Sequence, residues 1–153
     1  FPAQRFARHE LPGWTLIDDT YNANPLSAGR MIEAAAELAR GKDLVCVMGA
    51  MGELGDVAAE EHRKLGHALA KSGCKAVFWT GDHADDVKEG LQEARFAGFL
   101  AVLSAPEDFL PALETWEQSR EHGRNALVLF KGSRANRMER LVNLFTERKQ
   151  HAL

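Results

Sequence analysis

Cysteine is scarce. Two thiols, Cys46 and Cys74, occur in 153 residues, with no CxxC or CxxH neighbour. That excludes a disulfide-stapled scaffold and a cysteine-based zinc module. Both lie in or beside apolar, strand-like runs and read as reduced core residues of a cytoplasmic protein. No apolar run approaches the ~20 residues that cross a bilayer, so no membrane insertion is expected. Residues 1–10 show no signal-peptide pattern. Basic excess is missing too: 19 Lys and Arg stand against 22 Asp and Glu, a net charge of −3. This argues against nucleic-acid binding, which needs a cationic face to displace counterions, and against an anionic membrane surface. No GxSxG, HExxH or Gly-Lys-Ser/Thr phosphate loop occurs, and no histidine pair has metal-ligand spacing, so no metal site is expected in the chain. His62 and His67 read as solvated residues of a charged helix, and Met48, Met51 and Met138 as packing. Without repeats, low-complexity tracts or linkers, the length suits one compact domain spanning 1–153.

What the sequence has is alternation. Five apolar runs, Trp14–Asp18, Leu44–Met48, Ala76–Thr80, Phe99–Leu103 and Leu127–Phe130, are each followed by a turn and a stretch of helical periodicity. Short apolar strands alternating with amphipathic helices predict a parallel sheet covered on both faces. Leu11-Pro12-Gly13 predicts a hairpin that adds an antiparallel edge strand. Asn24 before Pro25 predicts a capped helix start, and Gly41 its end. Asp56 and Asp82 are candidate caps for the second and third helices. Ser104 and Glu107 have capping-box spacing for the fourth. Met138, Leu141, Val142 and Phe145 follow the i, i+3, i+4, i+7 stripe of a fifth.

In such a sheet, ligands gather beyond the carboxyl ends of the strands. Three loops there are unusual. Residues 18–25, Asp-Asp-Thr-Tyr-Asn-Ala-Asn-Pro, hold carboxylates fit to accept ribose hydroxyls and amides and a ring fit to flank a purine; the plainer reading is a strand end and an Asn-Pro cap. Residues 49–55, Gly-Ala-Met-Gly-Glu-Leu-Gly, permit close backbone approach to a phosphate, or simply a turn. Residues 131–134, Lys-Gly-Ser-Arg, place two cations and a hydroxyl where a carboxylate or phosphate could bind, or form a β–α turn capped by Ser133.

These three segments in this order, with Glu61-His62-Arg63 and Met138-Glu139 behind the second and third, resemble the Mur ligase family, in its D-alanyl-D-alanine-adding (MurF) branch. The resemblance runs from about residue 5 to 145. It is to the C-terminal domain alone of a three-domain enzyme whose N-terminal and central ATPase domains have no counterpart in this chain. It implies a doubly wound, Rossmann-like α/β sheet of about six strands, five parallel and one an antiparallel edge. It also implies a bacterial cytoplasmic ligase of peptidoglycan precursor synthesis. In that reaction ATP phosphorylates the terminal carboxylate of UDP-N-acetylmuramoyl-tripeptide, and the amine of D-Ala-D-Ala displaces phosphate. The C-terminal domain swings over the central one, which carries the main phosphate and Mg2+ ligands, and the isolated domain is expected to be inactive. Carried onto matching positions, Asp19, Tyr21, Asn22 and Asn24 would lie on the adenosine side of ATP. Lys131, Ser133 and Arg134 would face the dipeptide or acyl phosphate. Glu53 and the glycines of the second loop would line the cleft. Ala50 stands where the family usually has Asp, and the ribose contact falls to Asp18 or Asp19.

Two other readings fit parts of the pattern. One is the C-terminal domain of another Mur or folylpolyglutamate-type ligase. The other is a phospho-receiver module using Asp18/Asp19, Asp82, Ser104 and Lys131, against which stand the extra hairpin, the Tyr-Asn-Ala-Asn-Pro segment and Gly132 after the lysine. On the ligase reading, Asp19→Ala and Lys131→Ala are expected to lower kcat/KM with little effect on the domain's stability.

Overall fold

The computed structural model describes residues 7–20 and 23–151. Six strands form one sheet: β1 (Ala7–Leu11), β2 (Trp14–Asp19), β3 (Asp43–Gly49), β4 (Ala76–Thr80), β5 (Phe99–Leu103) and β6 (Ala126–Lys131), in the order β1-β2-β6-β3-β4-β5. β1 runs antiparallel to β2 across the Pro12-Gly13 turn, where Gly13 takes φ +75°, and the other pairings are parallel. The sheet is the predicted one, because β3, β4 and β6 are buried almost end to end and so read as continuous apolar runs.

Helices α1 (Pro25–Leu38), α2 (Ala58–Lys71) and α3 (Ala84–Glu93) cover one face; α4 (Phe109–Ser119) and α5 (Met138–Gln150) cover the other. Residue parity along each strand divides the core. Ile17, Cys46, Met48, Trp79, Leu127 and Leu129 pack under α1–α3. Leu16, Val47, Phe78, Val128 and Phe130 pack under α4 and α5, with Phe109 edge-on to Phe78 and Phe130, and Phe145 edge-on to Phe130. Cys46 and Cys74 are free thiols in the first of these layers.

The strand order brings three loops together. β6 enters the sheet between β2 and β3, so the segments leaving β2, β6 and β3 emerge side by side at the carboxyl edge. The chain leaves β2 toward one face and β6 toward the other. That divergence makes the end of β6 a topological switch point, the position at which doubly wound sheets bind ligands.

Helix starts follow the sequence in part. Asn24 caps α1 as expected: its Oδ1 accepts the Ser27 N–H at 2.9 Å, and Pro25 occupies the first turn. Three expected caps are displaced. Asp56 lies inside a 3-10 turn, Gly55–Val57, and α2 begins beyond it with no side-chain cap. His83, in the left-handed region at φ +67°, stands at the α3 start in place of Asp82, whose carbonyl accepts the Trp79 indole N–H. Before α4 the capping carboxylate is Asp108, one residue beyond Glu107, and it accepts the N–H groups of both Ser104 and Ala105.

Candidate functional site

The buried polar residues divide between the two ends of the sheet. Asp43, at the amino end, is held by Arg120 and Arg124 at 3.0 Å each and ties the α4–β6 connection to β3. Asp19, Lys131 and His62 lie toward the carboxyl end and are 8%, 3% and 0% exposed.

Asp19 and Lys131 are direct register partners on β2 and β6, and the ammonium donates to Asp19 Oδ2 at 2.8 Å. The carboxylate expected on the adenosine side and the ammonium expected on the dipeptide side are thus bonded to each other beneath the rim. Buried pairs of this kind persist because removing either charge strands the other. Asp18, on the opposite parity, accepts from the Thr20 hydroxyl at 2.8 Å. Asn24 is engaged in capping α1. Tyr21 and Asn22 lie outside the described residues, as does the side chain of Arg134, whose backbone opens a 3-10 turn, Arg134–Asn136.

A cleft of about 520 Å³ opens among the loops after β3, β4 and β6, lined by Met51, Glu53, Asp82, His83, Ser133 and Asn136 among others, with neither Asp19 nor Lys131 in its lining. Asn136, which sequence reasoning did not single out, organises one wall. Its Oδ1 accepts both the Ser133 N–H at 2.7 Å and the Ser133 hydroxyl at 3.1 Å. Ser133 therefore closes its own loop and does not cap α5, which starts after Arg137. Gly49 and Gly132 make room for this amide, and Gly81 lies close to it. A Cβ on Gly49 would lie 2.4 Å from Asn136 Cγ, one on Gly132 2.9 Å from its Oδ1 and one on Gly81 3.3 Å from its Nδ2.

His62 corrects the sequence reading outright: it is fully buried, not solvated. Its Nε2 accepts the Met51 N–H at 3.0 Å, and Nδ1 donates to the Ala58 carbonyl at 2.7 Å. Burial is the largest influence on its ionisation and pushes it below the usual 6.5, with the neighbouring His83 acting in the same direction. Glu53, His83 and Arg137, in three loops at this edge, all hold positive φ without being glycine. Such backbone strain gathers where the surroundings over-determine a loop, commonly at ligand sites.

The Mur ligase, glutamate ligase domain family matches residues 4–134 of this chain. The chain belongs to that family. This Mur ligase domain superimposes on MurF from Acinetobacter baumannii with a TM-score of 0.77 at 33% identity, covering 94% of this chain and 30% of that one. It superimposes on MurF from Thermotoga maritima, in complex with ADP, with a TM-score of 0.78 at 30% identity, covering 97% and 32%. The UDP-N-acetylmuramoyl-tripeptide–D-alanyl-D-alanine ligase of Treponema pallidum is 35% identical over 133 residues, 85% of this chain and 27% of the relative. The chain therefore spans about a quarter of the length of the curated relatives it matches. A larger groove of about 650 Å³ runs along α1 and α2, away from the strand ends. Its Arg63 is already paired with Glu60 and Glu93.

The glycine nest makes a testable demand of this Mur ligase domain. Gly49→Ala suits the backbone but displaces the Asn136 amide, so Ser133 loses its acceptor. A loss of about 1–3 kcal/mol is expected in urea denaturation. Asn136→Ala removes the two nearest obstacles and leaves only its Cβ, 2.9 Å from the new methyl, so the double variant should lose less than the sum of the two single losses.

Proposed function

We propose that this chain is the C-terminal domain of an ATP-dependent ligase that joins D-Ala-D-Ala to UDP-N-acetylmuramoyl-tripeptide in the bacterial cytoplasm. The observation that carries the reading is the convergence of the loops after β2, β3 and β6 on one rim. An open cleft lies among the loops after β3, β4 and β6, and the buried Asp19–Lys131 pair joins the ends of β2 and β6. A cleft open on one side suits half of a composite pocket, completed by a central ATPase domain that closes against it. In the reaction, the tripeptide's terminal carboxylate takes the γ-phosphoryl group of ATP and ADP is released. The dipeptide amine then attacks the acyl carbon, the new amide forms, inorganic phosphate leaves and the amine gives up a proton. Closure brings the amine to the acyl phosphate and shields that intermediate from hydrolysis.

In this reading the loop with Asp19, Tyr21, Asn22 and Asn24 lies on the adenosine side, and Lys131, Ser133 and Arg134 on the side of the dipeptide and acyl phosphate. A ribose hydroxyl reaching Asp19 meets a carboxylate whose charge Lys131 already balances. Ser133 presents a loop pre-set by Asn136. Mg2+ belongs to the triphosphate on the central domain. Among the described residues of this chain no group of three acidic, histidine or cysteine side chains is placed to hold a metal. No described helix is long and apolar enough to cross a membrane.

The decisive experiment grafts this chain in place of the corresponding domain of a D-Ala-D-Ala-adding ligase. ATP-dependent joining of D-Ala-D-Ala is expected from the chimera and none from the chain alone. A chimera that instead accepts glutamate or another amino acid would assign the chain to a sister ligase.

A further inference from the structure

Among the described residues, His62 is the one buried polar group at the carboxyl end that the proposed reaction does not use. Its two partners leave it a single form. The Met51 N–H can only donate, so Nε2 must be unprotonated. The Ala58 carbonyl can only accept, so Nδ1 must carry the proton. The ring is thus a neutral acceptor for one backbone amide, and that amide belongs to the centre of the 49–55 loop. His83 lies flat on the same ring, centroids 4.3 Å apart and planes 11° from parallel, while the Trp79 indole meets its edge. His83 is itself fixed by Asp86 at 2.9 Å and faces the cleft. The loop after β3 and the loop after β4 are therefore joined through one imidazole.

We propose that His62 is a positioning residue for the cleft: its neutral ring, wedged between Met51 and His83, holds the 49–55 loop in the shape that forms one cleft wall, and protonation of that ring releases the loop. The consequence for catalysis rests on the ligase reading; the loop geometry does not.

The groups facing His62 set the direction of the response. The Ala58 carbonyl, Glu61 on α2 and Asp86 on α3 favour its charged form, while burial, the largest influence, and His83 oppose it. A histidine whose folded ionisation lies below 6.5 leaves stability intact above 6.5. As pH falls from there toward the folded value, only the unfolded chain takes up the proton, and stability declines. A protonated Nε2 points a second N–H at Met51 where an acceptor is needed.

The test uses the 15N-labelled chain. Ring 1H–15N spectra should show His62 in its Nδ1–H form with a midpoint below 6.5. The Met51 amide should lose about tenfold in exchange protection as that midpoint is crossed, with Val128 in the core of β6 unchanged. His62→Phe keeps a ring against His83 but removes the acceptor. It should show the same tenfold loss at Met51 already at pH 8, and His62→Gln, which restores an acceptor oxygen, should recover part of it. Unchanged Met51 protection in His62→Phe, an Nε2–H tautomer, or a midpoint at or above 6.5 would overturn the proposal. If His62→Phe does not fold, the wild-type titration still decides. In the grafted ligase, His62→Phe should lower kcat/KM about tenfold at pH 8, and normal kcat/KM there would remove the catalytic consequence. A wild-type graft without activity would sink the ligase reading and leave the NMR result standing.

Discussion

Replacing Lys131 with methionine should lower the stability of the domain by about 3–5 kcal/mol, a loss readable by urea or thermal denaturation. The reason is positional. Lys131 ends the central strand β6 at 3% exposure, and Asp19, its register partner on β2, is 8% exposed. Methionine fills much of the lysine volume, so the loss reports stranded charge more than a cavity. Asp19 would keep a buried carboxylate with its 2.8 Å ammonium gone. The double variant Asp19→Asn with Lys131→Met removes both charges and should recover a substantial part of the loss. Strict additivity of the two single losses would mean the charges do not depend on each other. This outcome differs from what sequence reasoning expects of the same residues, which is a loss of activity with the fold untouched. Any kinetic study of Lys131 in an intact ligase must therefore measure stability alongside kcat/KM.

The sheet was legible because burial on both faces leaves its inner strands no polar alternation, so β3, β4 and β6 announce themselves as apolar runs. The hairpin was legible from Pro12-Gly13, and the α1 start from Asn24-Pro25, since each pair carries its own backbone preference. The displaced caps show where local reasoning stops. Asp56 and Glu107 have suitable chemistry at suitable distances, but a 3-10 turn before α2 and another over Pro106–Asp108 shift the helix starts. A one-residue shift moves the capping role to Asp108 or abolishes it.

The candidate site was legible as a set of loops and illegible as a set of contacts. Strand ends alone select five loops, and unusual composition singles out those after β2, β3 and β6, whose strands are neighbours in the sheet; the loop after β4, Gly81–His83, was selected by the same rule and lines the cleft without standing out in composition. That Asp19 and Lys131 bond each other, across 112 positions of sequence, follows only from β6 entering beside β2. His62 misled for a local reason. Glu60, Glu61, Arg63 and Lys64 surround it in sequence, while what buries it is Met51 from one loop and His83 from another. Gly49 and Gly132 each read as an ordinary turn residue, and the room both leave for one Asn136 amide has no signature in the chain.

Gly90→Ala should be the most damaging single methyl in the domain. α2 and α3 cross so closely that a Cβ on Gly90 would lie 1.9 Å from the Arg63 carbonyl oxygen, and one on Gly66 2.3 Å from the Val87 carbonyl oxygen. Both obstacles are backbone, so no rotamer change relieves them and the helices must separate. In an isolated exposed helix the same change would stabilise by about 1 kcal/mol. Here a loss of about 3 kcal/mol or more is expected in urea denaturation, because a displaced helix unseats Val87 and Leu91 from the core as well. The same crossing carries His62 on α2 against His83 at the head of α3. Separation of the helices should therefore also weaken exchange protection at the Met51 amide, while Val128 in β6 keeps its own. A Gly90→Ala protein with wild-type stability would mean that the two helices can part without cost, and the close crossing would then lose its claim to hold the cleft wall in place.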